Sequence, residues 1–343
     1  MNPPIVAITM GDPAGIGPEI TAKVLSLMEL YDICRPVVIG SKDVMEDALR
    51  MTRRALKINT ITDPSKGKYE LGTIDFIDLE NIKMAHVEYG KVSAECGRAA
   101  GDFIKKSIDL ALNGEVDAVA TCPIHKESFK LGGWGKEFVG HTEMFARLTN
   151  TEKYTMMLAH GDTRVVHVST HVPLAEAIRL VKRERILHVI KIAKNSCSAL
   201  GIPKPRVAVA GLNPHASDNG LMGREEIDEI TPAIEDARKL GIDVVGPVSP
   251  DVVFVQARGG WYDIVVAMYH DQGHIPSKLS GFVFDKERNE WGSVSGVNVT
   301  LGTPIIRASV DHGVAFGKAG KGIARPESLL DAIKIAVRFA QNR

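Results

Sequence analysis

Short runs of apolar, mostly β-branched residues alternate along the chain with longer stretches of helical periodicity. The first run, Ile5 to Met10, predicts a buried strand. The following stretch, from Gly17 to Leu30, predicts a helix that begins with Gly17, Pro18 and Glu19. Such alternation is typical of βαβ units and predicts an α/β fold with mostly parallel sheets. The same pattern predicts strands at 36–40, 116–122, 206–210, 264–269, 297–301 and 305–310, and helices at 92–113, 184–200, 225–240 and 326–341.

Two segments depart from this pattern. Tyr154 to His160 and Arg164 to Thr170 flank the turn pair Gly161 and Asp162, which predicts an antiparallel hairpin arm of the kind that often serves a dimer. The stretch from Val283 to Ser293 is polar and charged between glycine-bearing segments, and we expect a surface insertion there.

Composition limits the class of protein. A chain of 343 residues is long enough for two packed cores, and its 42 basic residues equal its 42 acidic ones, so no basic surface favours a nucleic-acid partner. No C-x-x-C pair occurs among the four cysteines, which suits a reducing compartment. The first residues lack a basic and apolar leader, and no long apolar window occurs, so we expect a cytoplasmic protein without a membrane span.

Three histidines stand at similar places in the predicted sheet. His171, His215 and His270 each end or follow a strand, and ligands bind at the carboxyl ends of parallel strands. Three imidazoles around one divalent ion leave open positions for substrate oxygens, as a catalytic metal requires. Because the three lie far apart along the chain, separate hydrogen-bonded histidines remain the alternative. Asp271, beside His270, would orient a ligand, take a proton or cap a loop.

Two glycine-rich segments have two interpretations each. The turn MGDPAGIGPE lies between a strand and a helix and is neither a G-x-G-x-x-G motif nor a P-loop, so a tight turn and a ligand loop are both open. The segment DHGVAFGKAGKGIARP either turns tightly or places its backbone against a flat ligand.

Two basic residues lie outside the predicted helices. Lys278 follows the HDQG turn, and Arg307 lies in a predicted strand where an unpaired charge is costly. An anionic substrate group would pair with Arg307, and a salt bridge to Asp311 or Glu19 is the structural alternative.

Seven blocks in one order resemble the 4-hydroxythreonine-4-phosphate dehydrogenase family over nearly the whole chain: MGDPAGIGPE, GHTE, STHVPL, LNPHASDNGLMGREE, AMYHDQG, GVNVTLGTPIIR and SVDHGVAFGKAGKG. The glycine loops also look like those of the isocitrate and isopropylmalate dehydrogenase superfamily. The resemblance implies two α/β/α lobes. The first comprises residues 1–124 plus 298–343 with the dinucleotide loops, and the second comprises residues 125–297 with the metal ligands and dimer interface.

The resemblance also implies a site, residue by residue. It implies a divalent metal ion (zinc, cobalt, manganese or magnesium) on His171, His215 and His270, shared between the subunits of a homodimer, and NAD near His312, Gly313 and Gly320. Substrate contacts carried over are His141, Thr142, Lys278, Asn298 and Arg307, and the candidates for catalytic groups are Lys278, Asp271 and Asp251. Arg325 replaces the asparagine usual in the superfamily, which affects the nucleotide contacts there.

A longer charged segment after Lys278, and His274, look like the second branch of the family. That branch implies oxidation of the C3 hydroxyl of 4-phospho-D-threonate, or of its erythronate epimer, with NAD and a divalent metal, followed by decarboxylation to dihydroxyacetone phosphate. The alternatives are the vitamin B6 enzyme acting on 4-phosphohydroxy-L-threonine, a non-redox metal-dependent binding protein for a phosphorylated acid, and a transferase on the related phosphotransacetylase scaffold. The substrate, the metal, the general base and the preference for NAD or NADP stay open at this stage.

Overall fold

The structure, a computed structural model, describes residues 2–287 and 290–343. The strands are β1 (Ile5–Thr9), β2 (Arg35–Gly40), β3 (Lys57–Thr60), β4 (Thr73–Asp78), β5 (Ala118–Thr121), β6 (Thr155–His160), β7 (Thr163–His167), β8 (Val207–Ala210), β9 (Val244–Val248), β10 (Ile264–Ala267), β11 (Phe282–Asp285), β12 (Glu290–Val294), β13 (Val297–Leu301) and β14 (Arg307–Val310). The helices are α1 (Gly17–Val24), α2 (Met28–Ile33), α3 (Lys42–Thr52), α4 (Ala94–Leu112), α5 (Lys126–Leu131), α6 (His141–Leu148), α7 (Leu174–Arg179), α8 (Arg183–Ala199), α9 (Thr231–Lys239), α10 (Pro250–Arg258), α11 (His270–Gly281) and α12 (Glu327–Gln341).

The chain divides into two compact units. Unit 1 comprises the residues up to Glu152 together with Thr303–Gln341, and unit 2 comprises Lys153–Gly302 with the last two residues. Residues 125–152 therefore lie in unit 1, whereas the lobe boundaries expected from the resemblance placed them in the second lobe. They belong there because α5 and α6 both pack against α4.

Unit 1 contains a parallel sheet with the strand order β3-β4-β2-β1-β5-β14. Its central strands β1 and β5 are buried along their whole length, as expected for parallel strands covered by helices on both faces. Thr9, at the end of β1, is paired in register with Thr121, at the end of β5, and Ser309 of β14 is paired with Thr121 on its other side. The loops that follow these three strands therefore lie together at the carboxyl ends of the strands.

Unit 2 contains a mixed sheet with the order β13-β6-β7-β10-β8-β9. β6 and β7 form the predicted antiparallel hairpin, β13 pairs with β6 antiparallel, and the other neighbours are parallel. One apolar cluster in this unit includes Val165, Ala208 and Val265 from three strands, together with Val253 of α10. The predicted α/β class with mostly parallel strands is confirmed.

Two local predictions are corrected, and the form of a third segment is now defined. The helix expected over 17–30 is two helices, because Leu27 is extended and the Ser26 hydroxyl donates to the Lys23 carbonyl. The helix expected over 225–240 begins as a π-helical turn, Glu226–Ile230, before α9. The expected surface insertion is an antiparallel hairpin of β11 and β12, and its residues Arg288 and Asn289 lie outside the described residues.

The four cysteines Cys34, Cys96, Cys122 and Cys197 are free and buried, and burial raises the pKa of Cys122 to about 12. Within residues 2–287 and 290–343, the helices are all too short or too polar to cross a bilayer.

Candidate functional site

Four imidazoles of unit 2 form a continuous row. The ring centroids of His167 and His274 lie 4.8 Å apart, those of His274 and His270 lie 3.6 Å apart in a parallel stack, and those of His270 and His171 lie 5.6 Å apart. Close packing is needed for this row, because a Cβ at Gly273 would lie 2.3 Å from Nε2 of His167. Burial lowers the pKa of His167 to about 3, so this end of the row is neutral.

The helix α11 carries half of the row. His270, His274 and Lys278 are spaced four residues apart and share one face of the helix. Lys278 therefore lies inside a helix, which corrects the prediction that it follows a turn; its Nζ lies 4.7 Å from the centre of the Phe282 ring. Asp271 Oδ1 lies 2.7 Å from Nδ1 of His270, an arrangement that leaves Nε2 of His270 available as a ligand.

The third predicted ligand, His215, lies on a strained loop after β8. The five residues from His215 to Asn219 all have positive φ, a costly conformation for residues other than glycine that clusters at functional sites. The loop is held by the buried carboxylate of Glu226, which accepts from the backbone N–H groups of Leu212 and Asn213 at 2.7 and 2.8 Å.

The helix α10, which carries Asp251 in its first turn, packs against the loop of His215. The Ser249 hydroxyl donates to the Asp251 carboxylate and lowers its pKa, and His215 adds to this lowering. The structure thus brings His171 close to His270, and His215 close to Asp251. Among the described residues of a single chain, histidine, cysteine and acidic side chains do not gather in threes as a metal site. The three-histidine site therefore stays a prediction.

The donor set nevertheless fits a divalent ion. Two imidazoles that bind one ion at about 2.1 Å have ring centroids about 5 Å apart. The separation of 5.6 Å between His171 and His270 is close to that value. Both rings lie on residues with access to solvent, so an ion can reach them.

Unit 1 holds a buried cation. Arg307, the first residue of β14, is 3% exposed, and its Nε and Nη2 donate to the Thr121 hydroxyl at 3.2 and 3.0 Å. Burial lowers the pKa of Arg307, and the charge of Glu143 offsets part of this effect. The guanidinium carbon lies 5.6 Å from the centre of the Phe145 ring. The Glu19 carboxylate, one of the two salt-bridge partners that the sequence offered, accepts hydrogen bonds from the N–H groups of Gly320 and Ala324 instead.

His141 and Thr142 lie in the first turn of α6, in the same unit as Arg307. Burial and the charge of Arg307 lower the pKa of His141 well below its usual range. In the described part of the chain, the buried Nε2 of His141 has no hydrogen-bond partner. A buried guanidinium, an imidazole without a partner and a helix N-terminus together suit an anionic group.

The C-terminal glycine segment also lies in unit 1. A Cβ at Gly313 or Gly317 would meet no atom within 4 Å, so a flat ligand can approach the backbone there. Gly320 has φ +77°, and a Cβ on it would lie 2.8 Å from the Tyr89 side chain, which explains why glycine is required. His312 Nδ1 lies 3.0 Å from the Gly313 carbonyl oxygen. The assignment of this segment to a dinucleotide stays a prediction.

The remaining predicted residue, Asn298, lies in β13 of unit 2, where its side-chain amide contacts the sulfur of Met156. Sequence reasoning missed Thr121, Glu143 and His167. A signal existed for two of them, because Thr121 and His167 end strands in the same way as the residues that were chosen.

The chain is similar in sequence and in fold to known proteins. The family model described as pyridoxal phosphate biosynthetic protein PdxA matches residues 32–336. A Halalkalibacterium halodurans protein with the provisional name D-threonate 4-phosphate dehydrogenase is 47% identical, over 98% of this chain and 97% of its own. A 4-hydroxythreonine-4-phosphate dehydrogenase of Desulforapulum autotrophicum is 44% identical, with 98% and 95% covered. The crystal structure of the Klebsiella pneumoniae 4-hydroxythreonine-4-phosphate dehydrogenase has a TM-score of 0.87 at 40% identity, with 99% and 98% covered.

Proposed function

The chain belongs to the family of the pyridoxal phosphate biosynthetic protein PdxA, and we propose that it oxidises the C3 hydroxyl of 4-phospho-D-threonate or 4-phospho-D-erythronate. It is a dehydrogenase that acts on a phosphorylated hydroxy acid, in line with the names of its relatives. The finer proposal is supported by the names of several relatives at 44–47% identity and by His274 in the histidine row.

The observation that supports this function most directly is the buried guanidinium of Arg307. A cation at 3% exposure is costly unless anions or hydrogen-bond acceptors surround it. The phosphate or carboxylate of the substrate would supply oxygens to Arg307 and to the unpartnered Nε2 of His141. Thr142, in the first turn of α6, would add a hydroxyl donor to the same anion.

We propose that His171, His215 and His270 hold a divalent metal ion, and that the glycine segment with His312, Gly313 and Gly320 holds NAD. When bound, the metal supplies a Lewis acid for the alcohol oxygen and NAD supplies the hydride acceptor. The chain's own part is to orient the ligands, and Asp271 does this by holding Nδ1 of His270 at 2.7 Å. Because Asp271 is engaged in that contact, Lys278 is the better candidate for proton transfer.

The proposed reaction is an oxidation followed by a decarboxylation. Lys278 Nζ takes the proton of the C3 hydroxyl and NAD takes the hydride from C3, which gives a β-keto acid. Loss of the carboxylate as carbon dioxide leaves an enolate, and protonation of C2 by Lys278 Nζ gives dihydroxyacetone phosphate. We assign Asp251 to the surroundings of His215, where its carboxylate would orient that ring.

We further propose that two copies of the chain share each metal ion. In one chain His171 and His270 are neighbours, while His215 lies beside Asp251 on a separate loop. A homodimer in which one subunit presents His215 to the pair of its partner would complete the set of three ligands.

A second candidate substrate is 4-phosphohydroxy-L-threonine. The family description and the name of the Desulforapulum autotrophicum relative favour it. The two substrate types differ at C2, where one carries a hydroxyl and the other an ammonium group, so turnover itself distinguishes them.

The test is a panel of the three phosphorylated acids, assayed with NAD or NADP and with each of several divalent ions. We expect NADH absorbance and stoichiometric carbon dioxide with the threonate or erythronate compound, and loss of both with a chelator. Arg307→Gln should abolish turnover, whereas Arg147→Gln, an exposed arginine on α6, is the matched control. Absence of NADH with all three acids would overturn the proposed oxidation, and NADH without carbon dioxide would overturn the decarboxylation.

A further inference from the structure

Two charged side chains one turn apart on α1 form hydrogen bonds with the backbone of the C-terminal glycine segment. Glu19 accepts hydrogen bonds from the N–H groups of Gly320 and Ala324 at 2.8 and 3.4 Å. Lys23 donates from Nζ to the carbonyl oxygens of Gly322 and Ala324 at 2.8 and 2.5 Å. The residues from 320 to 324, which we call the clamped loop, are thus bound from α1 through main-chain atoms of both polarities.

These bonds decide the conformation of the clamped loop. Gly320 and Gly322 have φ of +77° and +66°, so the backbone there has more freedom than at most residues and must be restrained from outside. A Cβ on Gly322 would lie 2.9 Å from the Met51 carbonyl oxygen, which shows how closely the loop approaches α3. The side chains of Lys321 and Ile323 are exposed, and Lys321 donates from Nζ to the Gly317 carbonyl oxygen at 2.7 Å, outside the clamped loop. The bonds from α1 are therefore the main restraint on the backbone of the clamped loop.

The burial of Glu19 strengthens its hydrogen bonds to the clamped loop. Its side chain is fully buried, and a buried carboxylate is tolerated only with hydrogen-bond donors. Hydrogen bonds to an ionised acceptor are stronger than those between neutral groups. The N–H groups of Gly320 and Ala324 are therefore held more firmly than ordinary loop contacts would hold them.

We infer that Glu19 and Lys23 are positioning residues for the cofactor, which fix the clamped loop in the conformation that receives the dinucleotide. The inference rests on the proposed function, since it assigns the glycine segment to NAD. A loop ordered before binding loses less conformational entropy when the ligand arrives, so the clamp increases cofactor affinity while leaving the chemical step unchanged.

The test is Glu19→Gln, which keeps the size of the side chain but turns one acceptor into a donor that faces an N–H group. We expect the KM for NAD and the Kd for NADH, measured by fluorescence, to rise about tenfold. We expect kcat and the KM for the acid substrate to stay within about twofold of wild type. Glu29→Gln is the control, because Glu29 is an exposed carboxylate on α2 that pairs with Lys334.

Lys23→Met is the second variant, and it carries the test if Glu19→Gln does not fold. It removes both donor bonds from a partly exposed position and should again weaken NADH binding alone. Unchanged NADH affinity in either folded variant, or an equal fall of kcat, would overturn the clamp and identify these bonds as structural anchors. A wild-type protein that binds NADH without turning over any acid would contradict the proposed reaction but still test the clamp, whereas failure to bind NADH would overturn both.

Discussion

Replacing Thr121 with valine removes a single hydroxyl from the floor of the Arg307 site. That oxygen accepts two hydrogen bonds, at 3.2 and 3.0 Å, from a guanidinium that is 3% exposed. A hydrogen bond to a charged group contributes about 1.5–3 kcal/mol, and a buried donor left without a partner keeps its desolvation penalty. Because both donors share one oxygen, we expect Thr121→Val to lower the free energy of unfolding by about 2 kcal/mol.

Function should change together with stability. Without the hydroxyl, the Arg307 guanidinium loses two of the hydrogen bonds that orient it, so it binds the substrate anion less well, and we expect the KM for the phosphorylated acid to rise about tenfold. Urea unfolding followed by tryptophan fluorescence measures the first effect, and initial rates at varied substrate measure the second.

The chain offers a matched control in Thr9→Val. Thr9 is the register neighbour of Thr121 in the next strand and is equally buried. Among the described residues its hydroxyl has no hydrogen-bond partner, so valine there should change the free energy of unfolding by less than about 0.5 kcal/mol. Equal losses in the two variants would refute the reasoning, because they would show that any change at this sheet edge is destabilising.

Three further outcomes are expected. Mixing His215→Ala with His171→Ala subunits should restore about a quarter of wild-type activity after subunit exchange, since half of the dimers regain one of two sites. A mixture of His171→Ala with His270→Ala subunits should stay inactive, because both changes affect the same pair of rings. The opposite pattern of specific activities would contradict this pairing. Arg53 has φ 54° just after α3, so Arg53→Gly should raise stability by about 0.5–1 kcal/mol in thermal unfolding, and a lower Tm would show that the side chain itself stabilises the fold. Burial lowers the pKa of His167 to about 3, whereas its pKa in the unfolded chain is about 6.5, so the unfolded chain binds the proton first as pH falls. The free energy of unfolding should therefore drop by about 1.4 kcal/mol between about pH 7.5 and about pH 5.5. Urea titrations of His167→Gln should lack this pH-dependent component.

Elements with strong periodicity were predictable from the sequence. The strand expected over 297–301 is β13, and the hairpin expected around Gly161 is formed by β6 and β7, because alternation of apolar and polar residues and a short turn specify both. The helix α11 was not predictable in the same way. Its twelve residues include Gly273, Pro276 and Gly281, which mark turns in most sequences. Packing against strands of unit 2, among them β6 and β7, stabilises it as a helix.

The candidate site follows the same division. Histidines at strand ends were found because chain position alone marks them. The partners of those residues were not, since the contact between Arg307 and Thr121 joins positions 186 residues apart, and neither residue signals the other locally. The row through His274 and His167 depends on the absence of a side chain at Gly273, which is a matter of packing and not of pattern.

The order in which a ribosome releases the chain has a consequence for unit 1. Its sheet takes β14 from the far end of the polypeptide and pairs Arg307 with Val119 of β5, so nearly the whole protein must be synthesised before this sheet can close. The nascent residues 153–302 form a contiguous segment that can fold before β14 is synthesised and pairs with β5. Premature termination before β14 would therefore release a polypeptide in which the apolar edge of β5 is exposed, and such a polypeptide is a substrate for chaperones and proteases.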